Sequence, residues 1–169
     1  DQAKTLLPLA PSAGARFMSI LQLMAFERLL RGVLDRAASA GVMSEDDAPT
    51  IQRALLDRMA EIGVLEGSEE GGVDEIPTPD DMVEAVHRVR GGSLFALAFA
   101  APSVLERGDL GQRMTDAEEA IARLGTAFQI VDDLTDFEFD VGRPSPKLLV
   151  SEIHHGGTED ERLALSGMW

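Results

Sequence analysis

The stretch FQIVDDLTDFEFD, Phe128 to Asp140, sets four aspartates and a glutamate on one segment with no lysine or arginine among them. Phe128, Ile130, Val131, Leu134 and Phe137 recur between the acids at helical spacing, which predicts a helix. At about 100° per residue, Gln129, Asp132, Asp133, Asp136 and Asp140 share roughly 100° of arc, with Gly125 one turn earlier on the same side. The apolar residues take much of the remaining circumference, so the acidic stripe is expected to face something other than bulk water.

A solvated acidic face is the ordinary explanation of such a run. It normally carries basic partners at i,i+4, because like charges at that spacing cost about 0.2–0.5 kcal/mol per pair. None occurs between Arg123 and Arg143. Mg²⁺ gives a physical reason for the cluster: it prefers hard oxygen ligands and is commonly held by one or two carboxylates together with substrate phosphates. Asp132, Asp133 and Asp136 are the expected Mg²⁺ ligands.

Outward from this stretch the pattern stays helical. Between Arg16 and Ala40, apolar residues from Phe17 to Leu34 cover most of a helix, predicting a largely buried element that Gly41 ends. Ser44 with Asp47 forms a capping-box-like start for a helix reaching about Leu65. The Gly- and Glu-rich run from Glu66 to Ile76 reads as a surface loop. Thr78-Pro79-Asp80-Asp81 supplies an N-cap, a proline at the first helical position and first-turn acids. That helix is expected to reach about Arg90, with Gly91-Gly92 interrupting or kinking it and Pro102 bending or ending its continuation. A long helix from about Asp116 to Asp140 and a shorter one from about Leu148 to His155 complete the reading. No period-2 strand appears, so the fold class is all-α, an antiparallel helical bundle, with residues 1–169 as one domain.

Composition excludes several functions. The 169 residues are 44% apolar, enough for a core, and carry a formal net charge of −15. Nucleic-acid binding would require clustered basic residues. The absence of cysteine removes disulfides, thiolate zinc sites and thiol nucleophiles, and fits a cytoplasmic enzyme. No apolar run is long enough to span a bilayer, so no membrane insertion is expected. His87 reads as a helix-surface residue, and His154-His155 as the end of a helix. Ser93 and Ser151 lack the context of a hydrolase nucleophile.

LGTAFQIVDDLTDFEFD resembles the second aspartate-rich motif of the trans-isoprenyl diphosphate synthases, the polyprenyl synthetase family, in which an FQ pair precedes DDxxD and a further aspartate follows. The matching positions are Phe128, Gln129, Asp132, Asp133, Asp136 and Asp140. HRVRGGSLFALAFAAPSVL resembles the family segment in which a Lys-Thr pair precedes Leu-Phe. Arg90 then stands at the diphosphate-binding lysine, Gly91 replaces the threonine, and Leu94-Phe95 is the apolar pair. GRPSPK resembles the loop that presents a lysine to diphosphate, making Lys147 the expected contact and Arg143 the alternative.

The resemblance implies an isoprenoid-synthase-type bundle and a Mg²⁺-dependent prenyltransferase that condenses an allylic diphosphate with isopentenyl diphosphate. Asp132, Asp133, Asp136 and Lys147 would carry the chemistry. Arg90, Gln129, Asp140 and Arg143 would bind substrate, and Phe95 and Phe99 would line the space for the prenyl chain. It also implies a homodimer, to which the helix of Arg16–Ala40 could contribute. The family's first aspartate-rich motif is missing, since Asp46-Asp47 and Asp80-Asp81 lack a third aspartate. The chain is therefore expected to be the C-terminal part of such an enzyme. Alternatives are a non-catalytic or regulatory helical subunit and a terpene cyclase of the same fold.

Overall fold

The computed structural model describes residues 13–70, 75–137 and 147–166, and every regular element among them is helical. In chain order these are α1 (Ala13–Ser39), α2 (Asp47–Glu70), α3 (Pro79–Asp81), a π-helix (Met82–Gly92), α4 (Ser93–Ala96), a 3₁₀ turn (Leu97–Phe99), α5 (Ala100–Leu105), α6 (Gly108–Thr135), α7 (Leu148–Gly156) and α8 (Glu159–Ser166). The all-α reading holds for these residues. Contacts divide the chain into two compact units, Asp1–Gln52 and Arg53–Trp169.

In the first unit, α1 ends as its sequence requires. Gly41 takes φ +72°, a left-handed conformation that costs glycine least. The Gly41 and Val42 N–H groups then donate to the Ala38 and Ala37 carbonyls at 2.9 and 3.0 Å, the Schellman pattern. The expected capping box forms as well: Asp47 N–H donates to Ser44 Oγ at 3.1 Å, and Ser44 N–H donates to Asp47 Oδ2 at 3.2 Å.

Burial of α1 is where the structure corrects the sequence. Leu34 is buried, but Phe17, Met18, Ile20, Leu21, Leu23, Met24, Phe26, Leu29 and Val33 are all exposed. Among the described residues of this unit, the beginning of α2 is the other helix, and it can cover one side of α1. The apolar residues of α1 run around most of its circumference.

The second unit is built on α6. Arg58 of α2 donates to the Ala96 carbonyl at 2.7 Å and forms an ion pair with Glu118 of α6. Glu118 also accepts from Ser103 Oγ at 2.8 Å, so one half-buried carboxylate ties α2, α5 and α6 together. Helix α2 itself continues to Glu70, past the point where Gly67 and the acids suggested a loop. The remainder of that expected loop includes residues 71–74, which lie outside the described residues.

The start at Thr78 is as expected. Thr78 Oγ1 accepts from Asp81 N–H at 3.2 Å, and Pro79 occupies the first turn. Beyond Asp81 the chain winds as an eleven-residue π-helix rather than a plain α-helix. Its buried residues recur at intervals of five, Met82, His87 and Gly92 in one row and Val86 and Gly91 in another, the spacing that i→i+5 winding turns to one side. His87 is fully buried, which corrects its reading as a surface residue: the wider winding brings it under Met82 and onto the inner face.

Helix α6 starts at Gly108, earlier than Asp116, with Gly108 at φ +59°. Helix α8 had no counterpart in the sequence reading. Its start is a capping box, in which Thr158 N–H donates to Glu161 Oε2 at 2.7 Å and Glu161 N–H donates to Thr158 Oγ1 at 3.3 Å.

Candidate functional site

Two helices approach each other without side chains between them. A Cβ on Gly91 would lie 2.3 Å from the Gly125 carbonyl oxygen and 2.8 Å from Gln129 Cβ. On the other side, a Cβ on Gly125 would lie 2.9 Å from Phe95 Cβ. The segment carrying Arg90, Gly91 and Phe95 is thereby pressed onto the helix carrying Gly125, Gln129 and the aspartates.

The inward face of α6 is Gly125, Gln129 and Asp133, successive i+4 neighbours, of which Gly125 and Asp133 are buried and Gln129 is half-buried. The expectation that this stripe faces something other than bulk water holds for these three. Asp132 stands at the exposed edge and Asp136 is half-buried. The opposite face is inverted relative to an ordinary amphipathic helix: Leu124, Phe128, Val131 and Leu134 are exposed while a carboxylate is inside.

Asp133 is the centre of the arrangement. Its side chain is 3% exposed. Lys147 Nζ lies 3.1 Å from Oδ1, the Leu148 N–H donates to Oδ2 at 2.8 Å, and His87 Nε2 lies 3.8 Å from Oδ2. A buried carboxylate is tolerable only with such partners, because an isolated one would lose its hydration without return. Three elements meet here: α6, the π-helix and the start of α7.

Helix α7 is held at two further points. Ser151 Oγ donates to the Pro77 carbonyl at 2.6 Å, and His155 Nε2 lies 3.0 Å from the Ile76 carbonyl oxygen. Ser151 is fully buried, and its hydroxyl serves this structural bond.

Of the three cations singled out from sequence, the two among the described residues both have acidic partners. Arg90 Nε lies 2.5 Å from Glu66 Oε1, and Lys147 lies beside Asp133. Phe95 is half-buried with its ring centroid 5.7 Å from that of Phe128, and Phe99 is half-buried on the 3₁₀ turn. Asp140 and Arg143 lie outside the described residues.

Among the described residues, no three His, Cys, Asp or Glu side chains converge as a metal cage. Asp132 and Asp136, one turn apart, supply two carboxylates. That donor set suits a hard cation completed by water and substrate phosphates better than one held by protein alone.

His87 and the Leu148 N–H are the members of this cluster that the sequence reading missed. The capping role of a backbone N–H fifteen residues from Asp133 left no mark in the sequence. No family model matches this chain, and no curated protein or solved structure matches it.

Proposed function

We propose that this chain belongs to a Mg²⁺-dependent prenyltransferase that condenses an allylic diphosphate with isopentenyl diphosphate. The observation that carries the reading is the Gly91–Gly125 crossing, which packs the Arg90 segment directly on the helix bearing FQxxDDxxD. Two stretches singled out separately in the sequence thus form one structural unit.

In this reading Asp132 and Asp136 hold the cation, and Arg90 and Lys147 bind diphosphate oxygens. Gln129, half-buried at the crossing, orients the bound group. Phe95 and Phe99 offer apolar surface to the prenyl chain. Mg²⁺, when bound, supplies Lewis-acid stabilisation of the diphosphate leaving group. The allylic C–O bond breaks with its electron pair going to pyrophosphate, the double bond of isopentenyl diphosphate forms the new C–C bond, and loss of a proton restores a double bond. The protein's task is positioning and charge stabilisation.

The reading includes a homodimer, supported by the exposed apolar side chains of α1. A second reading, a non-catalytic helical partner of an active subunit, is favoured by one observation: Arg90 and Lys147 both sit in ion pairs with acids of the same chain. The two are separated by incubating the full-length protein with radiolabelled isopentenyl diphosphate, an allylic diphosphate and Mg²⁺. Label moving into a longer prenyl diphosphate, and lost in Asp132→Asn, supports the enzyme. No product from well-folded protein refutes it and leaves the partner reading.

A further inference from the structure

Asp132 and Asp133 are neighbours in sequence with opposite surroundings. Asp132 is exposed, whereas Asp133 is 5% exposed as a residue. Both oxygens of Asp133 already face protein donors, Oδ1 toward Lys147 Nζ and Oδ2 toward the Leu148 N–H.

Leu148 is the first residue of α7, and its N–H is one of the donors that a helix start leaves without an intrahelical partner. The residue before it, Lys147, is extended at φ −125° and ψ 142° and gives α7 no side-chain cap. Asp133 does that work from another helix. Its carboxylate supplies the acceptor that Ser, Thr, Asp or Asn ordinarily supplies at the N-cap, and its negative charge suits the positive end of the helix dipole. A cation bound to Asp133 would have to enter beside Lys147 and the Leu148 N–H, at a side chain that is 3% exposed.

We infer that Asp133 is a positioning residue: it caps α7 from outside and fixes the Lys147 ammonium, leaving Asp132 and Asp136 as the cation-facing members of the motif. The assignment of Asp132 and Asp136 rests on the function proposed above, whereas the role of Asp133 toward α7 does not. Adjacent identical residues therefore divide between holding ligand and holding the wall that presents Lys147.

The test has two arms. In the ligand-free protein, amide hydrogen exchange at Leu148 reports the cap directly. Wild type and Asp132→Asn should protect this amide to the same degree, and Asp133→Ala should exchange it at least tenfold faster. Where Asp133→Ala does not fold, Asp133→Leu serves, since it keeps side-chain volume but offers the Leu148 N–H no acceptor. A Leu148 amide unprotected in wild type, or equally protected in the Asp133 variants, overturns the inference.

The second arm measures binding of inorganic pyrophosphate with Mg²⁺ by calorimetry. Asp133→Asn should weaken binding in the wild-type background but add less than a twofold loss in a Lys147→Met background, because its effect passes through Lys147. Asp132→Asn should cost at least tenfold in both. An equal loss from Asp133→Asn in both backgrounds marks Asp133 as a direct ligand and overturns the inference. Absence of pyrophosphate binding by wild type refutes the diphosphate reading alone, and the exchange arm still decides the role of Asp133.

Discussion

Gly91 and Gly125 face each other backbone to backbone, each so placed that a Cβ on one would lie 2.3 Å from the carbonyl oxygen of the other. No side chain can occupy either position without moving a helix. The threonine that the resembled family carries beside its lysine has no room at Gly91, so the glycine matches its local packing.

Gly91→Ala and Gly125→Ala should each destabilise the protein by about 1–3 kcal/mol or more, the cost of overpacking a close contact. Urea denaturation should show the midpoint falling with little change in slope. Gly63→Ala in α2, where a Cβ would meet nothing within 4 Å, is the control and should be neutral or stabilising. Comparable losses at all three would refute the crossing.

The helix positions and types were legible in the sequence where local chemistry fixes them. Thr78-Pro79, Ser44 with Asp47, and Gly41 each specify a boundary within a few residues, and the structure has a helix end at each. Two features were not legible. The π winding of Met82–Gly92 changes which side chains share a face, and His87, which its neighbours Arg88 and Arg90 mark as a surface residue, is buried. Asp133 meets His87 from the π-helix as well as Lys147 and the Leu148 N–H from the start of α7, and nothing in a local pattern encodes that meeting.

Glu118 should be costly to replace. It receives Arg58 and Ser103 while largely covered, so Glu118→Ala leaves a half-buried guanidinium without its carboxylate. A loss of about 1.5–3 kcal/mol is expected, in the range for hydrogen bonds to charged groups. Thermal or urea unfolding measures it, and an effect below about 0.5 kcal/mol would show that the contact is only a surface ion pair.

The start of α8 should weaken in acid. The Thr158 N–H, then the Thr158 hydroxyl, hold the Glu161 carboxyl below the usual glutamate range. A carboxylate depressed in the folded state contributes stability that is present above its unfolded pKa and lost as pH falls through its folded value. Glu161→Ala should remove this pH dependence together with the acceptor that both Thr158 donors use. Helix content of α8, followed by amide exchange from neutral pH downward, should decline in wild type and be low and flat in the variant. A wild-type profile unaffected by acid would contradict the cap.

The homodimer proposed above would bury the exposed apolar side chains of α1. The full-length protein should sediment as a dimer at micromolar concentration, and Leu23→Asp with Phe26→Asp should shift it toward monomer, since charge on an apolar interface must be desolvated. A monodisperse wild-type monomer contradicts the homodimer.

In the proposed function the acids of α6 hold a cation shared with a diphosphate. Thermal unfolding of the full-length protein with and without Mg²⁺ plus pyrophosphate tests it most directly. Ligand at about one hundred times Kd should add about 2.7 kcal/mol of stability. Asp132→Asn should leave the ligand-free protein unchanged or slightly more stable, as repulsion with Asp136 falls, while removing most of the ligand-induced gain. Arg90→Ala should reduce that gain without easing any repulsion along α6. No shift in wild type, or an equal shift in Asp132→Asn, would contradict the account and leave the aspartates as a solvated face joined to one structural carboxylate.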